Sequence, residues 1–376
     1  MRRNCTEPKG GDERPKVLMY YTYADRIGGP LTYMKTVMNS PLQEKYRFAA
    51  LFQNEAPGGL NLPLLRRMTA AIRREKPDIV HVQGAQSEGF YGTLAARLAG
   101  CRRIVLTVHG FNGDDRYCPP VKRFLYRWFV EPLTLRMAHR VFCVCEYAAK
   151  RRVVTVNAGR RNRGFIHNCV PEMKTVSGRE EVRRACGFGE EDVVFCISGR
   201  LIREKGFEVL AQAANRLAED GAAGFRLLVL GDGDYREEFR RSVKALIEAG
   251  VVVMTGATDR VADYLAASDV FVLPSFRENL SIALLEAGAS GLPCIVSAAG
   301  GNAEIIRDGE SGFVIDGFDP GKYAEKMRYL MENPSVRRRM REEIRRDMAE
   351  RFSAERMCEQ LDEVYGSHAR RARRKT

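Results

Sequence analysis

Short apolar runs rich in Val, Ile, Leu and Phe recur along the chain, each followed by a stretch with helical periodicity. The runs fall at 16–21, 48–52, 78–83, 103–109 and 140–145, and then at 192–198, 225–231, 251–256, 269–275, 293–298 and 312–316. Strands without apolar/polar alternation are buried on both faces, and helices between them supply that cover, so the pattern predicts parallel sheets. Two such series predict two doubly wound α/β domains. The polar stretch 171–180, PEMKTVSGRE, marks the seam. The expected division is an N-terminal domain over 16–175, a C-terminal domain over 176–351, a closing helix over 352–366 and a basic tail over 367–376.

In open α/β sheets ligands sit beyond the carboxyl ends of the strands, where loops lead into helix N-termini. The most informative of these loops follows the run 269–275. Phe276 to Asn279 lead into a helix whose Ile282, Leu285 and Ala289 keep to one face. Glu278 lies at its mouth, whereas Glu286 lies more than one turn inside. Between them the free amides around Leu280 and Ser281 form a natural anion site. One element thus offers a carboxylate, an anion nest and a second carboxylate, in the order in which a nucleotide sugar presents sugar hydroxyls, diphosphate and ribose. Taken singly, each glutamate also reads as an ordinary helix-start or helix-surface residue.

After the run 192–198 come Gly199, Arg200, Leu201, Ile202, Arg203, Glu204, Lys205 and Gly206. Cations fixed here suit a diphosphate leaving group when no metal offsets its charge. Gly28 and Gly29, ahead of Pro30, open a helix where backbone could approach a phosphate or sugar. Gly231-Asp232-Gly233 lacks the third glycine of a dinucleotide fingerprint and reads as a tight turn. His109 ends an apolar run at a position from which a catalytic side chain would project. His81 and His167 read as buried structural residues. No histidine pair has metal-ligand spacing, no Gly-x-Ser-x-Gly elbow occurs, and no metal is expected.

These segments together resemble glycosyltransferase family 4, the retaining group with the GT-B fold, over about 16–366. The most specific part is FRENLSIALLEAGASGLPCIVS, with seven residues between Glu278 and Glu286. GRLIREKG (199–206), LGDG (230–233), GGNAEII (300–306), TVHG (107–110) and the closing RFSAERM are similar to family stretches. Asn279 stands where a glycine is usual and Gly288 where a methionine is common. The resemblance implies that Glu286 binds the ribose and Glu278 the transferred sugar. It implies that Arg200 and Lys205, with the Gly28-Gly29 loop, neutralise the diphosphate. Asn279, Leu280 and Ser281 would line the donor site, Thr255 and Gly256 would border the base, and His109 would reach the sugar from the acceptor side. It further implies a nucleotide-sugar donor, with UDP the expected nucleotide. The acceptor would be a saccharide or lipid-linked, and the setting cell-surface polysaccharide or glycolipid synthesis.

Charge adds a second theme. The net charge is +13, yet residues 1–180 hold 31 Lys and Arg against 15 Asp and Glu, while the remainder is slightly acidic. A basic front half suggests that one domain faces an anionic partner. Between 121 and 163 there are eleven Lys and Arg and only two acidic residues. Val121, Phe124, Leu125 and Trp128 form an apolar stripe, with Lys122, Arg123 and Arg127 on the other side and Pro132 expected to kink the helix. Two placements fit this stripe: packed on a sheet as core, or laid on an anionic membrane surface.

No apolar run approaches the ~18 residues of a membrane span, residues 1–15 carry no secretory core, and the ten cysteines lack framework spacing. The expected location is therefore the cytoplasm, peripheral on the inner face of the plasma membrane. Two other classes fit less of the pattern. A GT-B enzyme acting on a nucleotide sugar without transfer, such as an epimerase, would need further acid–base residues. A basic nucleic-acid-binding protein would need a recognisable module, and no nucleic-acid partner is expected.

Overall fold

The apolar runs form two six-stranded sheets in which every pairing is parallel. The computed structural model describes residues 12–22, 29–55, 59, 61–114 and 117–366. The first sheet comprises β1 (Lys16–Tyr21), β2 (Arg47–Phe52), β3 (Ile79–Gln83), β4 (Ile104–Val108), β5 (Arg140–Cys143) and β6 (Asn162–Phe165), in the order β2-β1-β3-β4-β5-β6. The second comprises β7 (Val193–Ser198), β8 (Phe225–Leu230), β9 (Val252–Gly256), β10 (Val270–Leu273), β11 (Cys294–Ser297) and β12 (Gly312–Ile315), in the order β12-β11-β10-β7-β8-β9. Strand order reverses between β1 and β3 in one sheet and between β7 and β10 in the other. These two switch points are where a doubly wound fold opens its ligand crevice.

The inner strands β3, β4 and β7 are buried at every residue, which accounts for their unbroken apolar runs. β6 is an additional strand, absent from the sequence expectation. Its residues, Asn162, Arg163, Gly164 and Phe165, carry no apolar run because it lies at the sheet edge with no residue fully buried.

The stretch after β4 is continuous but not uniform. An α-helical turn, Pro120–Leu125, passes into a π-helical segment, Tyr126–Val130, and then into the helix Glu131–Met137. Pro132 has no N–H to give the carbonyl four residues back, and its ring crowds that carbonyl. The wider turn relieves this, with the Glu131 N–H bonding to the Tyr126 carbonyl.

The helix Ala354–Gly366 returns to the first domain. Met357, Leu361 and Tyr365 pack against Val17, Met19 and Phe142. Asp362 accepts from Tyr46 at 2.7 Å, and the Tyr365 hydroxyl lies 2.6 Å from His81 Nδ1. His81 is fully buried and also bonds Thr107, a structural role. A single apolar cluster includes Val108 and Cys145 of the first domain with Leu280 and Ile305 of the second. No helix among the described residues is long and apolar enough to cross a membrane.

Candidate active site

At the switch point of the second sheet, β7 and β10 deliver two loops side by side. The β10 loop carries Ser275, Arg277, Glu278 and Asn279, and the helix Ile282–Ala289 follows it. The β7 loop carries Arg200 and Lys205. The two loops are tied through Lys205 Nζ, which donates to Glu278 Oε1 at 2.5 Å, and the Ser275 hydroxyl donates to the same oxygen at 3.0 Å. Arg200, by contrast, is exposed, and its side chain has no hydrogen-bond or ion-pair partner among the described residues.

Glycine makes this arrangement possible at two places. A β-carbon on Gly300 would stand 1.9 Å from the Glu278 carbonyl oxygen, and φ there is +60°. The Gly300-Gly301 turn therefore presses directly on the glutamate loop, and the Gly301 N–H donates to the Asn279 carbonyl at 2.8 Å. Gly231 likewise meets the Gly199 carbonyl, where a β-carbon would lie 1.9 Å away. The Gly231-Asp232-Gly233 turn is thus a brace for the β7 loop: the Leu201 N–H donates to the Asp232 carbonyl at 3.0 Å. Thr255 and Gly256 end β9 behind that brace, and the Gly256 carbonyl accepts from the Gly231 N–H at 2.9 Å.

Glu286 is half-buried one turn into its helix, and no described group donates to its carboxylate. Burial without a cation pushes its pKa up to about 7. Leu280 and Ser281 are buried, and the Ser281 hydroxyl is taken up in capping the helix by accepting from the Leu284 N–H at 3.4 Å. What these two offer a ligand is backbone amide.

The first domain faces these loops with its own switch-point residues. Gly29 opens the helix Gly29–Met38, and a β-carbon there would come within 3.3 Å of Ile282 Cγ1. Gly28 lies outside the described residues. His109 follows β4, and its Nε2 is 2.9 Å from Gln83 Oε1 at the end of β3. Its ring stands edge-on to Tyr33, with centroids 5.2 Å apart. Burial pushes the His109 pKa down to about 3, so the imidazole is neutral at physiological pH and can donate or accept without carrying charge. A β-carbon on Gly110 would lie 3.0 Å from Asn279 Nδ2, so the two domains approach at this point. Arg277 adds a tether, donating to the Phe111 carbonyl at 3.1 Å and lying 3.5 Å from Glu204.

Of the expected cleft residues, Gly29, Arg200, Lys205 and Glu278 to Glu286 lie on the elements of these switch points, His109 follows the neighbouring strand β4, and Thr255 and Gly256 end the edge strand β9. Sequence reasoning missed Ser275, Arg277, Gln83 and the Gly300-Gly301 turn as parts of the site. Ser275, Arg277, Gln83 and the glycine pair all carried a readable signal, since each ends or follows an apolar run. Among the described residues no group of three or more His, Cys, Asp or Glu is placed to hold a metal ion. Asp232 pairs with Arg236 at 2.8 Å.

His167 does more than a core histidine. Its Nε2 is 2.9 Å from Glu304 of the second domain, whose carboxylate also accepts from the Glu146 and Tyr147 N–H groups at 2.8 and 2.7 Å. Burial alone would raise the Glu304 pKa, but His167 and the two amides outweigh it and hold the group below the usual glutamate range. Further along the chain from the His109 loop, Val121, Phe124, Leu125 and Trp128 are all exposed, Trp128 by 62% and Val121 by 72%. Phe129 and Leu133 extend the same surface, and Lys122 and Arg127 are exposed beside it. The stripe is solvent-facing, not core. Its helix is joined to the His109 loop, since buried Glu131 accepts from the Gly113 N–H at 2.9 Å.

Solved structures share this two-sheet fold. HepE of Anabaena, crystallised with UDP and glucose, superposes with a TM-score of 0.78 at 17% identity, over 94% of this chain and all of HepE. The architecture is GT-B. Two family models match in sequence, the glycosyl transferase 4-like domain over residues 40–168 and glycosyl transferases group 1 over 178–347. An Escherichia coli UDP-Gal:alpha-D-GlcNAc-diphosphoundecaprenol alpha-1,3-galactosyltransferase is 29% identical, over 68% of either chain. The N-acetyl-alpha-D-glucosaminyl L-malate synthase of Bacillus anthracis is 27% identical, over 81% of this chain and 78% of that one. This chain belongs to glycosyltransferase family 4, the group 1 glycosyltransferases, and is a sugar-transferring enzyme.

Proposed function

We propose that the enzyme moves a sugar from a UDP-sugar, with retention of anomeric configuration and without a metal, onto a lipid-linked saccharide at an anionic membrane surface. The observation that carries the donor half is the pairing of two loops at one switch point, one bearing Glu278 and Glu286, the other Arg200 and Lys205. The unpartnered Glu286 carboxylate accepts the ribose hydroxyls, Arg200 meets the diphosphate, and the Leu280–Ser281 amides meet it from the helix start. Thr255 and Gly256 border the base.

The acceptor hydroxyl attacks C1 on the face from which the diphosphate departs. The C1–oxygen bond to phosphate breaks as the C1–oxygen bond to acceptor forms, and the acceptor proton passes to a phosphate oxygen of the leaving group. Arg200 and Lys205 offset the charge that develops there, as fixed cations do where no divalent ion is used. Neutral His109, oriented by Gln83, hydrogen-bonds the sugar. Contact between the domains at Asn279 and Gly110 excludes water that would hydrolyse the donor.

The acceptor half rests on the exposed apolar face of 120–133 and its neighbouring cations, a combination that suits the interface of an anionic bilayer. The E. coli and B. anthracis relatives differ in acceptor, one being lipid-linked by its name; the exposed stripe favours the lipid-linked class here. The protein is then cytoplasmic and peripheral. Incubating UDP-, GDP- and ADP-sugars with a lipid-linked oligosaccharide extract in excess EDTA tests the reading. Transfer from a UDP-sugar, with the product's anomeric proton coupling matching the donor's, is expected. A strict need for manganese, an inverted product or exclusive use of another nucleotide would overturn the corresponding part.

A further inference from the structure

A second cavity lies away from the cleft, where the chain passes back from the second domain to the first. It has a volume of about 400 Å³ and is lined by Arg163, Gly164, Phe165, His167, Arg351, Arg356 and Gln360. None of these residues takes part in the cleft described above. Four of the seven carry a cationic or protonatable side chain, and no carboxylate is among them.

The charges are largely unspent. Arg163 and Arg356 are exposed and pair with no carboxylate among the described residues. Arg351 donates one Nη to the Glu304 carbonyl, while its buried Nη1 has no hydrogen-bond partner and lies 3.7 Å from Asp347. On the helix Ala354–Gly366, Arg356 and Gln360 are four residues apart and so share a face. Glu355 lies about 100° round the helix from Arg356, and Glu359, about 60° from it, is exposed and pairs with neither Arg356 nor Gln360. His167 is held between Phe165 and Phe352, with ring centroids 4.8 and 5.1 Å away, and its acidic neighbour Glu304 is already engaged by two amides. Glu304 and Asp347 are the carboxylates in contact with lining residues, through His167 and Arg351, and Asp347 is itself shared with Arg307 at 3.0 Å. Arginines gathered around a roomy concavity without enough counter-charge are the usual means of holding phosphate groups through paired N–H···O bonds.

We propose that this pocket is an anion site for a phosphate-bearing ligand of at least two negative charges, separate from the donor diphosphate site. Because it joins β6 and His167 to the return segment at Arg351 and Arg356, an occupant bridges the two domains at their hinge. It lies next to the Glu304–His167 contact that fastens them.

Thermal melting with inorganic pyrophosphate at constant ionic strength tests this, in an R200Q/K205Q background that removes the cleft's own phosphate contacts. Saturating pyrophosphate should raise the melting temperature by at least about 2 °C there, and adding R163Q and R356Q should abolish the rise. No rise in the R200Q/K205Q protein, or a rise that survives R163Q/R356Q, overturns the proposal. If R200Q/K205Q loses its cooperative melt, calorimetric titration of the otherwise unaltered enzyme decides: two pyrophosphate sites must fall to one in R163Q/R356Q, and one site in both overturns it. Vesicles containing phosphatidic acid separate the sources. Competition with pyrophosphate points to a lipid headgroup, and its absence to a free phosphate ester.

Discussion

Lys205 Nζ lies 2.5 Å from Glu278 Oε1, so two groups proposed to meet different parts of the donor are joined directly to each other. Both side chains are largely shielded from solvent, at 21% and 10% exposure. The ion pair keeps each charge from being buried alone, which would cost more than the pair itself contributes. On the proposed assignment, a donor diphosphate at the β7 loop would compete with Glu278 for the ammonium, and the released carboxylate would be free to accept sugar hydroxyls.

The pair thus separates binding from chemistry. Glu278→Gln is expected to leave UDP affinity unchanged or higher, because the lysine loses its competitor, while kcat falls at least about 100-fold, or about 2.7 kcal/mol. Lys205→Gln is expected to weaken UDP binding. Calorimetry with UDP alone and a transfer assay check both halves. Loss of UDP affinity in Glu278→Gln would contradict the exchange.

Glu286 gives a pH signature. Its pKa stands at about 7 in the fold against an ordinary value of 4.5. Between those values the unfolded chain is ionised while the folded one keeps its proton, so the native state binds more protons and stability falls as pH rises through that window. The loss amounts to about 3 kcal/mol at most. Free enzyme should therefore melt lower at pH 8 than at pH 5 by this contribution, and Glu286→Gln should remove it. Ribose hydroxyls donate to the ionised form, so donor binding should tighten from pH 6 to 8 and release protons near pH 7. Titration in two buffers of unlike ionisation enthalpy reads that release, and identical apparent enthalpies would contradict it.

Gly300→Ala tests the brace under the glutamate loop. The added methyl would sit 1.9 Å from the Glu278 carbonyl, a distance no packing tolerates, at a φ of +60° that L residues rarely adopt. The Glu278–Asn279 backbone must move. Transfer should drop by at least about tenfold, with a stability loss of about 1–3 kcal/mol. Chemical denaturation and a transfer assay together would show whether both change.

Much of this site was legible because its chemistry sits where parallel strands end. Glu278, Arg200 and Lys205 could be found by asking which polar residues follow each apolar run. The joining of Lys205 to Glu278, of Gln83 to His109 and of Arg277 to Phe111 could not, because each links residues far apart in sequence. β6 escaped for a different reason: an edge strand carrying Arg163 and Gly164 has no apolar run to announce it. The stripe at Val121, Phe124, Leu125 and Trp128 was visible, but a helix packed on a sheet and one turned to solvent share the same periodicity. Only the exposure of all four side chains separates the two.

That exposure supports the last prediction. Trp128 and Phe124 stand exposed on a helix beside Lys122 and Arg127, although removing such side chains from water is favourable by about 1.5–3 kcal/mol each. On the proposed reading, a bilayer interface would cover the apolar face and meet the cations with anionic headgroups, each worth about 1 kcal/mol close to the surface. The enzyme should co-sediment with vesicles containing phosphatidylglycerol but not with phosphatidylcholine alone, and binding should weaken in high salt as screening shortens the reach of the charges. Trp128→Ala with Phe124→Ala should reduce binding at all salt concentrations. Charge reversal at Lys122, Arg123 and Arg127 should abolish it at low salt. Neither set touches the cleft, so transfer to a soluble acceptor analogue should persist while transfer to a membrane-embedded acceptor falls. Equal sedimentation with both lipids would show that the cations play no part, and none with either would remove the membrane from the proposed reaction.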